Sequence, residues 1–229
     1  MEKTYEFQFD GRDAIVIVPE NPNGEWIWKT EFLRAFDQAE QALLEEGYTR
    51  VYYTVSNRFG SPEAVRLMHN FYCYVIKEFG LKEKCHLFGF SRGGLYAFNF
   101  ALYYPEYVAS VYLDAPVLDM KSWPPKASWD QEMLFKEYTL NDDTFPIFKG
   151  NPVDKLSDFF ALNIPLMVVA GAADELVPLH ENAGVLLEYC KKNSITVDVV
   201  IKETCGHHPH SLEDVKPIVD FVKRNSSKE

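Results

Sequence analysis

The sequence predicts an α/β fold, because short β-branched and aromatic runs alternate along the chain with longer stretches of helical spacing. The alternation also predicts parallel strands, since a parallel pair cannot be closed by a hairpin and needs a crossover of helical length. A third observation agrees: Gly89-Phe90-Ser91-Arg92-Gly93-Gly94 lies between an apolar strand pattern and an apolar helix pattern, midway along the chain.

Taken in order, extended runs are expected at Tyr5–Phe9, Asp13–Val18, Arg50–Val55, Lys84–Phe88, Val108–Leu113, Ile164–Ala170 and Thr196–Ile201, where Val, Ile, Tyr and Phe concentrate. Over Thr30–Glu46, Phe32, Leu33, Phe36, Ala39, Leu43 and Leu44 recur at steps of three and four, which predicts a helix ended by Gly47. Similar periodicity predicts helices over Pro62–Phe79, Gly93–Tyr103, Leu179–Cys190 and Leu212–Lys223. The alternation lapses over Val117–Leu162. That stretch is too long for a simple connection, and it carries Trp123, Trp129, Phe135, Tyr138, Phe145 and Phe148. A packed cap insertion at about 117–162 is therefore expected within a single domain spanning 1–229.

A chain of 229 residues, 47% apolar and 25% charged, suits one globular domain with a sizeable core. Acidic residues outnumber basic ones 34 to 23, the net charge is −11, and no basic run occurs, so nucleic acid is not an expected partner. The start, MEKTYEFQFDGRDAIVIVPE, has acids where a secretory leader needs bases. The longest apolar stretch, Ile164–Ala173, falls short of the roughly 18 residues a membrane span requires, so no membrane partner is expected. Cysteines 73, 85, 190 and 205 show no paired spacing, which suits reduced thiols and a cytoplasmic location. Nothing in the sequence specifies an oligomeric state.

In a parallel sheet, reacting groups gather where loops leave the carboxyl ends of the strands. KCHLFGFSRGGLYAFNFAL fits that geometry, with a sharp turn at Ser91. Glycines two positions before and after the serine remove Cβ atoms that would collide with strand and helix. The hydroxyl then stands clear of the backbone, and the Arg92 amide points into the same space as an oxyanion donor. A serine is a poor nucleophile without a base and a group to orient that base. MVVAGAADELVP places Asp174 just beyond a strand, and VVIKETCGHHPHSLED places His207 just beyond the last one. Glu175 competes with Asp174. His208 competes with His207, and His210 is expected to be structural.

The stretches GFSRGGLYAFNFALYYPEYVASVYLDAP, GAADELVP and CGHHPHSLED resemble the α/β-hydrolase superfamily, and within it a bacterial subgroup of serine esterases. The resemblance runs from the strand at Asp13 to the last helix. It implies Ser91 as nucleophile, Asp174 as acid and His207, directly after a glycine, as base. One departure stands out. Many relatives carry His-Gly after the strand matching Asp13–Val18, where a backbone amide completes the oxyanion hole. Here the loop reads PENPNGEWIWKTEF, and the Trp26 amide is the expected second donor.

The expected activity is hydrolysis of a carboxylic ester with a short acyl group, a carbohydrate ester included, through an acyl-enzyme and with no metal or organic cofactor. The expected partner is thus a small-molecule or glycan ester. All four tryptophans fall on predicted connections, so Trp28, Trp123 and Trp129 are expected to form flat apolar walls for substrate, with packing of cap on core as the competing role. The Arg92 side chain is expected to be held by Asp114 or Asp119. Cys205 with His207, His208 and His210 offers soft ligands, but neighbours on an extended loop point apart and no second cluster completes a site. Readings of other classes are a hydrolase fold that binds without catalysing, a thioesterase or peptidase, and a zinc-dependent hydrolase.

Overall fold

The computed structural model describes residues 1–227. Eight strands form one sheet: β1 Lys3–Phe9, β2 Arg12–Val18, β3 Trp26–Lys29, β4 Thr49–Tyr53, β5 Cys85–Phe90, β6 Val108–Asp114, β7 Leu166–Gly171 and β8 Asp198–Lys202. Their spatial order is β1-β2-β4-β3-β5-β6-β7-β8. β2 runs antiparallel to both its neighbours and every other pairing is parallel, so the α/β class holds with a mostly parallel sheet.

Alternation along each strand sorts side chains onto two buried faces. On β3 and β5, Trp26, Trp28, Cys85 and Leu87 join the larger core, which α2 (Pro62–Glu78), α3 (Gly93–Tyr103) and α6 (Ala183–Lys192) cover. Ile27, Phe88 and Phe90 face the other way, against α1 (Gln38–Glu45) and α7 (Lys216–Arg224). Helix α2 starts where its sequence says it should: Ser61 caps the Ala64 amide, Pro62 fills the first turn and Glu63 complements the helix dipole.

Two elements differ most from expectation, while α6 and α7 each begin four residues later than their periodicity predicts. β3 falls in a segment read as a loop, and the helix expected over Thr30–Glu46 begins only at Gln38. Residues 30–37 instead form an irregular turn with positive φ at Phe32 (58°) and Phe36 (50°), which no helix tolerates. Buried bases hold this turn: Lys29 Nζ donates to the Ala35 carbonyl at 3.3 Å, and Arg50 Nη2 donates to the Leu33 carbonyl at 3.2 Å.

Residues 117–162 run between β6 and β7 and carry α4 (Trp129–Tyr138) and α5 (Leu156–Ala161). Polar side chains fix this stretch to the rest of the chain. Asn182 Oδ1 accepts from the Leu118 and Asp119 amides, Glu137 pairs with Arg58 and Ser61, and the Tyr138 hydroxyl donates to the Phe59 carbonyl. Among the described residues, no helix is long and apolar enough to cross a membrane, and the four cysteines are free thiols.

Candidate active site

The turn between β5 and α3 bends at Ser91, whose φ of 50° lies in the left-handed region. A Cβ at Gly89 would meet the Ala97 methyl at 2.8 Å, and one at Gly93 would meet Thr30 Oγ1 at 3.0 Å, so the turn closes only with glycine on both sides. Three backbone hydrogen bonds lock it. Ser91 N donates to the Asp114 carbonyl, while Gly94 N and Val117 N donate to the Ser91 carbonyl, each at 2.9 Å. The Arg92 amide, at the head of α3, finds no acceptor among the described residues.

His207 reaches this turn from the loop after β8. Its Nε2 lies 2.9 Å from Ser91 Oγ, and its Nδ1 lies 2.8 Å from Asp174 Oδ2. A carboxylate only accepts, so Nδ1 carries the proton and Nε2 is left to accept from the serine hydroxyl. Asp174 follows β7. Its Oδ1 accepts from the Leu176 and Val177 amides at 3.0 and 2.8 Å, which fixes the carboxylate plane. Glu175 is exposed and takes no part. His208 is also exposed, its ring stacked 5.7 Å from Phe36. A nucleophile, an oriented base and a spare amide donor thus converge on one sheet edge, a geometry suited to acyl transfer.

A family model described as alpha/beta hydrolase fold matches residues 33–145. Among solved structures, an acylaminoacyl peptidase of Pyrococcus horikoshii superposes with a TM-score of 0.70 at 17% identity, covering 100% of this chain and 42% of that one. Dipeptidyl peptidase 4 of Porphyromonas gingivalis gives 0.66 at 13%, covering 98% and 34%. An S-formylglutathione hydrolase of Agrobacterium tumefaciens gives 0.65 at 16%, covering 98% and 94%. The chain has the α/β-hydrolase fold. It spans less than half the length of the two peptidases. No curated protein matches it by sequence.

Within this hydrolase fold, several expected site residues stand elsewhere. Trp26 begins β3 and pairs with Thr49, at the amino edge of the sheet, whereas Ser91 follows the carboxyl end of β5. Its indole donates to the Lys82 carbonyl. The Trp26 amide therefore cannot serve Ser91, and the oxyanion role expected for it is corrected. Trp28 is likewise no pocket wall: it is buried in the core, 5.8 Å from Phe71 and 5.2 Å from Phe100, because inward-facing β3 positions meet α2 and α3. Trp123 is half-buried, 6.3 Å from Phe59. Trp129 opens α4 and is 58% exposed. The next residue, Asp130, comes within 3.8 Å of Arg92 Nη1, which places the start of α4 beside the serine turn.

The Arg92 side chain also has other partners than expected. Its guanidinium binds Glu31 Oε2 at 3.2 and 3.3 Å and Asn57 Oδ1 at 3.2 Å, and neither Asp114 nor Asp119 reaches it. Burial pushes the Glu31 carboxyl above its ordinary pKa, a rise the Arg92 charge opposes. Sequence reading missed Glu31, which fell within the helix expected over Thr30–Glu46. Asp114 instead accepts from His210 Nδ1 at 2.8 Å, in keeping with a structural place for that imidazole. The ligand atoms of His207, His208 and His210 lie within 4.8 Å of one another. Both nitrogens of His207 and one of His210 are committed to the hydrogen bonds above.

Proposed function

We propose that this protein is a serine hydrolase that cleaves carboxylic esters through an acyl-enzyme. The observation that carries the reading is the single imidazole of His207 bridging Ser91 Oγ and Asp174 Oδ2 at hydrogen-bonding distance on both sides. His207 Nε2 takes the hydroxyl proton as Ser91 Oγ attacks the carbonyl carbon, and Asp174 holds the ring and stabilises the imidazolium. The Arg92 amide donates to the developing oxyanion. The second donor lies in the turn after β3, where Thr30 Oγ1 donates to the Gly93 carbonyl at 2.8 Å, with the Phe88 carbonyl 3.1 Å away, and the Glu31 backbone lies beside Gly93. The imidazolium then protonates the leaving alcohol, and a water deprotonated by the same Nε2 releases the acid.

A short acyl group borne on a carbohydrate is the substrate class proposed. Its support is the exposed indole of Trp129 at the edge of the site, a flat apolar face of the kind a sugar ring covers. Turnover of a panel of acyl esters, acetylated sugars among them, tests both levels. Wild type hydrolyses members of the panel, and Ser91→Ala reduces turnover by at least about 10³-fold with the fold intact. Full activity of Ser91→Ala contradicts the mechanism. Equal KM for acetylated sugars in wild type and Trp129→Ala contradicts the substrate class alone.

A further inference from the structure

Asp114, the last residue of β6, is fully buried and touches two parts of the site, the serine turn and the imidazole loop. Its main-chain carbonyl accepts from Ser91 N at 2.9 Å, within the turn that carries the hydroxyl. Its carboxylate reaches the loop that carries the imidazole. Oδ1 accepts from His210 Nδ1 at 2.8 Å, and Oδ2 accepts from the Ser211 amide at 2.9 Å and the Tyr112 hydroxyl at 2.5 Å. Burial, followed by the charge of Asp114, pushes the Tyr112 phenol well above its ordinary pKa, so it stays protonated and donates.

His210 is set as firmly. Its ring lies 5.3 Å from Phe90 and 5.4 Å from Phe36, and it meets the His207 ring edge-on at 4.9 Å and 80°. The His210 ring thus packs directly against the His207 imidazole. From the outer side, Lys202 Nζ donates to the Pro209 and Ser211 carbonyls. The loop is therefore fixed from below by Asp114 and from outside by Lys202, while His207 itself is held by Asp174 and Ser91.

We propose that Asp114 and His210 are positioning residues for the hydrolytic reaction, a second carboxylate–imidazole pair that sets the place of His207 relative to Ser91. The proposal rests on the reading of Ser91 as nucleophile. A catalytic base displaced by about 1 Å costs on the order of a hundredfold in rate, so a second pair that fixes the loop acts on chemistry rather than on substrate affinity.

The test compares wild type with His210→Ala, His210→Asn, Asp114→Asn, Val222→Ala and Ser91→Ala. It reads the rate of covalent inactivation by a fluorophosphonate together with kcat and KM for an ester that wild type hydrolyses. Val222, buried on α7 and outside the hydrogen bonds that hold the loop, supplies a variant of reduced stability. His210→Ala and Asp114→Asn are expected to lower inactivation rate and kcat roughly tenfold or more, with KM within about twofold of wild type. His210→Asn keeps a donor for Asp114 and is expected to recover most of that loss. Val222→Ala keeps wild-type rates below its melting transition. Wild-type inactivation and turnover in His210→Ala, or equal losses in His210→Asn and His210→Ala, overturn the positioning role while leaving Ser91 as nucleophile. Inactivation of Ser91→Ala at the wild-type rate removes the functional reading, and the positioning role with it.

Discussion

Ser91 is held in a backbone region that side chains avoid, at φ 50°, because its neighbours give the turn no other closure. Relief of that strain gives a residue-scale prediction: Ser91→Gly melts at a higher temperature than Ser91→Ala, by about 1 kcal/mol of stability, and both lack turnover. Equal melting temperatures mean that the turn is unstrained. Asp174→Asn keeps the geometry but leaves His207 without an acceptor for Nδ1–H, so kcat is expected to fall by about 10³- to 10⁴-fold. Steady-state kinetics at saturating substrate check this. The Ser91, Asp174 and His207 positions were legible because each chemistry needs a side chain at a strand end, and glycines or strand patterns mark those ends in the sequence. A main-chain oxyanion donor is not legible in the same way, since an amide leaves no signature in side-chain identity.

At the scale of elements, β3 and the residues on either side of it show charged side chains lining a buried strand. The strand, Trp26–Lys29, lies in a stretch read as a loop, yet Glu25, Lys29 and Glu31 are all buried, each against a partner from elsewhere in the chain. Lys29 Nζ lies 2.5 Å from Glu40 Oε1 and 3.3 Å from the Phe90 ring centre. Burial pushes the Lys29 ammonium down from its ordinary pKa and the Glu40 carboxyl up. Lys29→Met leaves a lone acid in the core and is expected to destabilise the protein by about 3–5 kcal/mol, whereas Lys29→Met with Glu40→Leu recovers most of it. Denaturant midpoints of the single and double variants decide the matter, and additive losses argue against a coupled pair. The same substitutions free the Ala35 carbonyl and loosen the turn beside Ser91. The helix expected from residue 30 failed for a related reason: Phe32, Leu33 and Phe36 have helical spacing, but buried Lys29 and Arg50 bind the carbonyls of Ala35 and Leu33 and hold that backbone in a turn.

For the molecule as a whole, the mostly parallel sheet follows from alternation of strands with helices, the most readable feature of the chain, and parallel pairing of β5, β6, β7 and β8 brings their carboxyl ends to one edge. The opposite edge carries a separate polar cluster. Glu25 accepts from Lys82 Nζ at 2.8 Å and from the Ser227 amide at 2.9 Å, with His86 Nε2 3.6 Å away. Burial alone would raise its carboxyl. The His86 and Lys82 hydrogen bonds and the Lys82 charge prevail and lower it from 4.5 to about 2. Between those values the unfolded chain binds more protons than the folded one, so stability rises with pH there. The contribution is complete above 4.5 and fades as pH falls toward 2. Glu25→Gln is expected to flatten the acid limb of a urea-midpoint profile over that range, and a limb of unchanged slope places the acid sensitivity elsewhere.

The claim on which the molecule's chemistry turns is that His207 makes Ser91 reactive toward an acyl carbon. Rapid quenching of the wild-type protein with an activated acetyl ester, followed by mass mapping of peptides, tests it most directly. The account predicts a transient gain of one acetyl group on the peptide containing Ser91, at least about tenfold reduced in His207→Ala. An acetyl group found elsewhere in the chain, or one that forms on Ser91 as fast without the imidazole, contradicts it.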